Sequence, residues 1–128
     1  MEGQSMEQMK KLPDAEFDIM KIVWAKKPPI TTSEVMKHLT KECKIQTIVS
    51  LMQRLTERGF LSSEKKGKER LYFPLVRKDD YLKFESGNFL RQIHDNSFSG
   101  LVASLYDGGS LSDADIDELL QWTKERRG

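Results

Sequence analysis

The sequence predicts a mainly α protein with one small β-hairpin: an N-terminal winged helix-turn-helix followed by a C-terminal three-helix dimerisation region. Three observations lead there. Apolar residues recur at helical spacing in six separate segments. The period changes to that of extended chain only over residues 60–75. The order along the first half is helix, helix, helix, hairpin. At 128 residues, 38% apolar and 32% charged, the chain fits one domain, or one compact domain with an appendage. The expected division is a flexible N-terminus over residues 1–11, a winged domain over 12–76 and a helical dimerisation domain over 77–128.

The first helix opens at Leu12-Pro13-Asp14-Ala15-Glu16. Proline suits a first turn, and acidic residues suit the positive end of the helix dipole. Phe17, Met20, Val23 and Trp24 follow on one face, until Lys26-Lys27-Pro28-Pro29 stops the helix by removing donors. Ile30 is expected to add a very short strand. Thr31-Thr32-Ser33-Glu34 fits a capping box for a second helix carrying Val35, Met36 and Leu39. A third helix, residues 45–58, places Ile48, Leu51, Met52 and Leu55 on one stripe, with Gly59 as its left-handed stop. Residues 60–64 and 70–75 read as strands joined by the basic turn Lys65-Lys66-Gly67-Lys68-Glu69. Beyond Arg77 three further helices are expected: residues 79–95, a stripe of Phe98, Leu101, Val102 and Leu105 stopped at Gly108-Gly109, and a helix capped by Ser112.

Charge and motifs narrow the function. Residues 12–76 carry 12 Lys and Arg against 8 Asp and Glu, whereas residues 77–128 carry 7 against 10. The basic half is the one suited to a polyanion. No apolar run approaches the roughly 18 residues that span a bilayer, and residues 1–11 lack a signal peptide's apolar stretch. Cys43 is the single cysteine, so neither a disulfide framework nor a cysteine-rich metal site is expected. A cytoplasmic protein is the natural expectation. His38 and His94 lack ligand spacing, the acidic run Asp113, Asp115, Asp117, Glu118 lacks the calcium-loop glycine, and no nucleophile-base pair or phosphate loop is present. No metal, no cofactor and no enzymatic activity are expected.

In a helix-turn-helix the second helix of the pair enters the major groove. Here its outward face presents Gln46, Thr47, Val49, Ser50, Gln53 and Arg54. Gln pairs with adenine, Thr and Ser donate to bases or phosphates, and Val49 suits a thymine methyl. Lys44 and Arg54 suit phosphates, as do Lys65, Lys66 and Lys68 on the wing. The expected partner is double-stranded DNA carrying a palindromic operator. The tail is short but rich in apolar residues: Tyr81, Phe84, Phe89, Phe98, Leu101, Leu105, Leu119 and Trp122. Burial against a second copy accounts for that load, and a two-fold dimer matches a palindrome.

The residues Asp14-Ala15-Glu16-Phe17 leading to Trp24 form one part of a further pattern. Thr47-Ile48 leading to Leu51, Arg54-Leu55 and Gly59-Phe60 form another. With Asn88-Phe89, Gly100-Leu101-Val102 and Leu111-Ser112, the pattern resembles the penicillinase and methicillin-resistance repressors of the BlaI/MecI type. The resemblance spans residues 12–127. It implies a homodimeric repressor on a dyad operator upstream of genes for β-lactamase and its sensor. It also implies induction by cleavage in the tail, driven by a membrane sensor-protease that detects β-lactam. By position the cleaved bond is Ser104–Leu105, where the family typically has Asn-Phe. Gln46 and Val49 stand where the family has basic residues, which implies a different operator sequence. A copper-responsive branch carries C-terminal cysteines, and here none follows Cys43. Two other readings compete: a winged-helix regulator induced by a ligand between tail and wing, and a winged-helix protein-interaction module without a DNA target.

Overall fold

The computed structural model describes residues 9–127. The chain divides into two compact units, Met1–Glu85 and Ser86–Gly128. The first holds α1 (Asp14–Ala25), α2 (Thr32–His38), α3 (Ile45–Glu57), β1 (Leu61–Lys66) and β2 (Glu69–Pro74). The helix α4 (Lys78–His94) begins in the first unit and ends in the second, which also holds α5 (Phe98–Asp107) and α6 (Asp113–Arg127). The first unit therefore runs past the 76/77 boundary expected from the sequence.

Local chemistry sets each boundary. Pro13 caps α1, its carbonyl accepting the Phe17 N–H at 2.9 Å. Ile19, Met20 and Val23 turn inward, and α1 ends before the proline pair. Ile30 then exchanges both backbone hydrogen bonds with Tyr72, at 2.9 and 2.8 Å, and adds the expected short β element beside the hairpin. Thr31 forms the full capping box with Glu34 at the start of α2. On α3, Ile48, Met52 and Leu55 are fully buried and Leu51 is half-buried. Gly59, at φ +83°, lets the Phe60 N–H return to the Leu55 carbonyl, a closure that favours glycine.

The hairpin differs from the expectation in one respect. Its register runs from Leu61↔Pro74 to Lys66↔Glu69, which leaves only Gly67-Lys68 as the loop. Gly67 takes φ +65°, the left-handed conformation that primed two-residue turns need. Lys65, Lys66 and Glu69 are thus strand residues. Both faces of the outer hairpin meet solvent, so the backbone ladder continues where no apolar alternation marks it.

Tyr81 is the centre of the first unit's aromatic cluster. It is 0% exposed, with Phe17, Trp24, Phe60 and Phe84 around it at ring-centroid distances of 5.5 to 6.0 Å. Its hydroxyl accepts from the Leu12 N–H at 2.8 Å and donates to the Glu85 carboxylate at 3.0 Å. Trp24 donates its indole N–H to the Val76 carbonyl at 2.9 Å, fixing the chain between β2 and α4. Met9 and Leu12 are buried in the same core, so part of the segment expected to be a flexible N-terminus packs against the fold. Tyr81 was expected in the dimer surface, and the structure corrects this: it is a core residue of the first unit. Phe84, expected in the same surface, packs half-buried on that core. The reason is proximity in sequence, since the first turns of α4 follow β2 directly and cover Phe60 and Trp24 before the helix leaves the unit.

One charged pair crosses the core's edge. Glu16 of α1 is buried and accepts from the Arg58 Nε at 2.7 Å, just past the end of α3. Removing the cation would leave a buried carboxylate without compensation, a loss of about 2–3 kcal/mol given that Arg58 is partly exposed. The pair sets the position of α3 against α1.

The second unit has the opposite character. None of its described residues is buried. Its helices are well started and stopped: Ser97 caps α5 through the Gly100 N–H at 3.0 Å, and Gly109 at φ +82° follows its last turn. Ser112 and Asp115 form a reciprocal cap on α6, and the two hydrogen bonds from Ser112 hold the Asp115 carboxyl below its usual range. The helices are locally specified but lack an interior.

Burial first, then the hydrogen bond and charge of Glu85, push the Tyr81 hydroxyl up to about 12, against the Leu12 N–H that favours ionisation. A pKa raised on folding contributes stability that is full below pH 10 and is lost as pH climbs toward 12. Tyr81→Phe is expected to cost about 1 kcal/mol near neutral pH and to flatten this alkaline loss. Urea unfolding of both proteins from neutral to strongly alkaline pH checks it, and parallel alkaline losses would refute the assignment.

Candidate nucleic-acid interface

α3 is amphipathic in the sense that a groove-reading helix requires. Its apolar stripe is spent on the core, and the opposite side is open. Lys44, Gln46, Thr47, Val49, Ser50, Gln53 and Arg54 are all exposed, as expected from the sequence. Gln46, Ser50 and Gln53 run along the middle of this face. Thr47 and Arg54 flank them and line, with Gln46, Ser50 and Leu51, a shallow depression of about 300 Å³. The single acidic residue of the helix is its last, Glu57, and its first turn has neither an acid nor a side-chain cap. The positive end of the helix is therefore not neutralised from within.

The wing supplies cations in a less comfortable arrangement. Lys65, Lys66 and Lys68 are exposed around the loop. Lys65 lies directly opposite Arg70 across the ladder, a like-charge pairing that destabilises a hairpin in isolation. Arg70 is held on the strand by donating to the Ser63 hydroxyl at 3.0 Å. Among the described residues no ion pair engages Lys44, Arg54, Lys65, Lys66, Lys68 or Arg70. A polyanion beside the wing would relieve this repulsion. Sequence reasoning missed Arg70, whose position opposite Lys65 depends on the register, and Ile45, which stands exposed beside Gln46.

The tail residues expected in a dimer surface divide in two. Phe89, Phe98, Leu105 and Trp122 are exposed, Phe98 at 56% and Trp122 at 52%, whereas Leu101 and Leu119 are half-buried. Phe98, Val102, Ile116, Leu119 and Leu120 line an open cleft of about 610 Å³ between α5 and α6. Tyr106 closes one end by donating to the Asp113 carboxylate at 2.6 Å. Ile116 and Leu120, four apart on α6, were the signal for this cleft and were not among the residues expected there. Ser104 and Leu105 lie in the last turns of α5, where the Ser104 carbonyl accepts from Gly108 and that of Leu105 from Ser110.

His38 and His94 lie on different helices, and no cluster of His, Cys, Asp or Glu suited to a metal is found among the described residues. No described helix is long and apolar enough to cross a membrane. Cys43 is half-buried against the core.

Three helices, a hairpin wing and an open, acid-poor third helix define a winged-helix DNA-binding regulator. The chain belongs to the penicillinase repressor family, whose model matches residues 12–125. It is 33% identical to the penicillinase repressor of Bacillus licheniformis over 93% of this chain and 96% of that protein. It is 29% identical to the methicillin resistance regulatory protein MecI of Staphylococcus aureus strain N315, over 84% and 89%. The solution structure of the Bacillus licheniformis BlaI monomeric form in complex with the blaP half-operator is 34% identical, covers 56% of this chain and 89% of that one, and superposes with a TM-score of 0.48. The family is one of repressors and not of enzymes.

Wing cations and α3 readers are expected to separate on DNA. Lys65→Ala with Lys66→Ala should weaken binding to all sequences alike and reduce the salt slope by about 0.9 for each phosphate no longer neutralised. Gln46→Ala or Thr47→Ala should cost about 1–3 kcal/mol on the preferred sequence alone. Gel-shift titrations over a salt series measure both, and identical behaviour of the two variant sets would contradict the division.

Proposed function

We propose that this protein is a homodimeric, cytoplasmic repressor of β-lactam-resistance genes, those for a β-lactamase and its sensor, acting from a palindromic operator. The observation that carries the reading is the open face of α3, bare of acidic residues until Glu57 and set in a chain similar along its length to penicillinase and methicillin-resistance regulators. Residues 12–76 and the first turns of α4 form the DNA-binding domain. Two copies of α3 occupy successive major grooves. The second unit serves dimerisation: a short, three-helix piece without one buried residue among those described gains its interior from a second copy.

Relief of repression is proposed to be proteolytic. Cleavage of Ser104–Leu105 by a membrane sensor-protease divides α5 and separates its N-terminal turns from α6. The two parts of the apolar cleft then no longer belong to one chain, and two-site binding is lost with the dimer. Because the bond lies within helix and its carbonyls are engaged by the C-terminal turn, the last turn of α5 must open before a protease can take the strand. Gly108 and Gly109 lie next to that turn and lower the cost of opening it.

Footprinting on the DNA upstream of the protein's own gene is expected to show two protected half-sites one helical turn or a multiple apart. Exposure of cells to β-lactam is expected to yield an N-terminal fragment ending at Ser104. Protection of a single half-site would contradict the dimer. Derepression with an intact chain would contradict proteolytic relief in favour of a ligand-driven switch.

A further inference from the structure

Two large apolar side chains on α3 stand outside the hydrophobic core. Ile45 is 41% exposed and Val49 is 42% exposed, while the core stripe of the same helix is completed by Ile48, Leu51, Met52 and Leu55. They stand four residues apart and so form one ridge. Both are β-branched, which lowers helix propensity, and neither packs against the core cluster. The ridge borders Gln46, Ser50 and Gln53, the polar middle of the open face.

We infer that Ile45 and Val49 are specificity-determining residues that read the C5-methyl groups of thymines in the major groove. This rests on α3 being the groove-reading helix proposed above. An A·T pair presents the adenine N6 and N7 atoms to a glutamine amide and, on the same groove floor, the thymine methyl to an apolar side chain. A ridge of Ile45 and Val49 beside Gln46 and Gln53 is therefore suited to A·T pairs at successive positions. The two ridge residues are separated by about 6 Å along the helix axis. That is close to two base steps at about 3.4 Å each, so one side chain meets each of two thymines on alternate positions. The half-site predicted from this surface is A·T-rich under the first turns of α3, with its thymine methyls contributing to affinity and not merely tolerated.

The test uses the full chain and a duplex enriched on it from a random library. The duplex is synthesised once with thymine and once with deoxyuridine at the positions under α3, which removes the methyls and leaves base pairing intact. Affinity is expected to fall about fourfold per methyl removed, and about sixteenfold for two. For the Ile45→Ala, Val49→Ala protein the same replacement should change affinity less than twofold. Alanine is the better helix former at both exposed positions, so circular dichroism of this variant should match the parent and exclude unfolding as the cause. Equal affinity of the parent for the two duplexes overturns the inference, as does an undiminished uracil penalty in the variant. Failure to enrich any duplex would instead overturn the DNA-binding reading itself, which keeps the two outcomes apart.

Discussion

The Tyr81 side chain is enclosed by four aromatic rings, and both the donor and the acceptor capacity of its hydroxyl are used. Much else follows from that burial. A fully enclosed aromatic residue with satisfied polar atoms is worth several kcal/mol to the element that carries it. The first turns of α4 are therefore committed to the winged unit, which is why the unit extends to Glu85. The same hydroxyl holds the backbone at Leu12 and brings Met9 and Leu12 into the core. One residue thus joins the start of the chain, α1 through Phe17 and Trp24, and the beginning of the tail.

With that core closed, α3 is free to be specialised. Three of its side chains are fully buried, and the Glu16–Arg58 pair fixes its C-terminal end against α1. Its outer face contributes little to stability and can carry whatever recognition requires: amides, hydroxyls, an arginine and an exposed aliphatic ridge. The wing shows the same separation. Its backbone ladder and Gly67 turn hold the strands, while Lys65 against Arg70 adds a repulsion that folding alone does not explain. The second unit is specialised in another way, with caps that define its helices and apolar side chains that the unit itself leaves uncovered.

Much of this was legible in the sequence because the relevant signals are local. The Thr31–Glu34 box, the Gly59 stop and the Ile48–Leu55 stripe each depend on residues within a few positions of one another, and each is present in the structure. The exposed face of α3 followed by subtraction once that stripe was known. What escaped depends on contacts between distant segments. Tyr81 sits in the same kind of apolar run as Phe89, and only the fold distinguishes a residue buried against Phe60 from one left in solvent. Glu16 reads as a favourable first-turn acid, and its burial against Arg58 depends on the packing of α1 on α3. The Lys65–Arg70 opposition depends on a register that the charged, unpatterned end of the hairpin does not reveal. Met9 lies in a polar segment whose neighbours give no periodicity to read.

The proposed dimer divides the labour: the winged unit, closed by Tyr81, has its own core, and the second unit is proposed to obtain one from a second copy of the chain. Amide hydrogen exchange of the full-length protein over a dilution series tests this directly. Amides of α5 and α6 should be protected at high concentration and lose protection on dilution, while those of α1, α3 and the first turns of α4 keep theirs at every concentration. Protection of α5 and α6 that is independent of concentration would contradict the claim, as would loss of protection in the winged unit together with the tail.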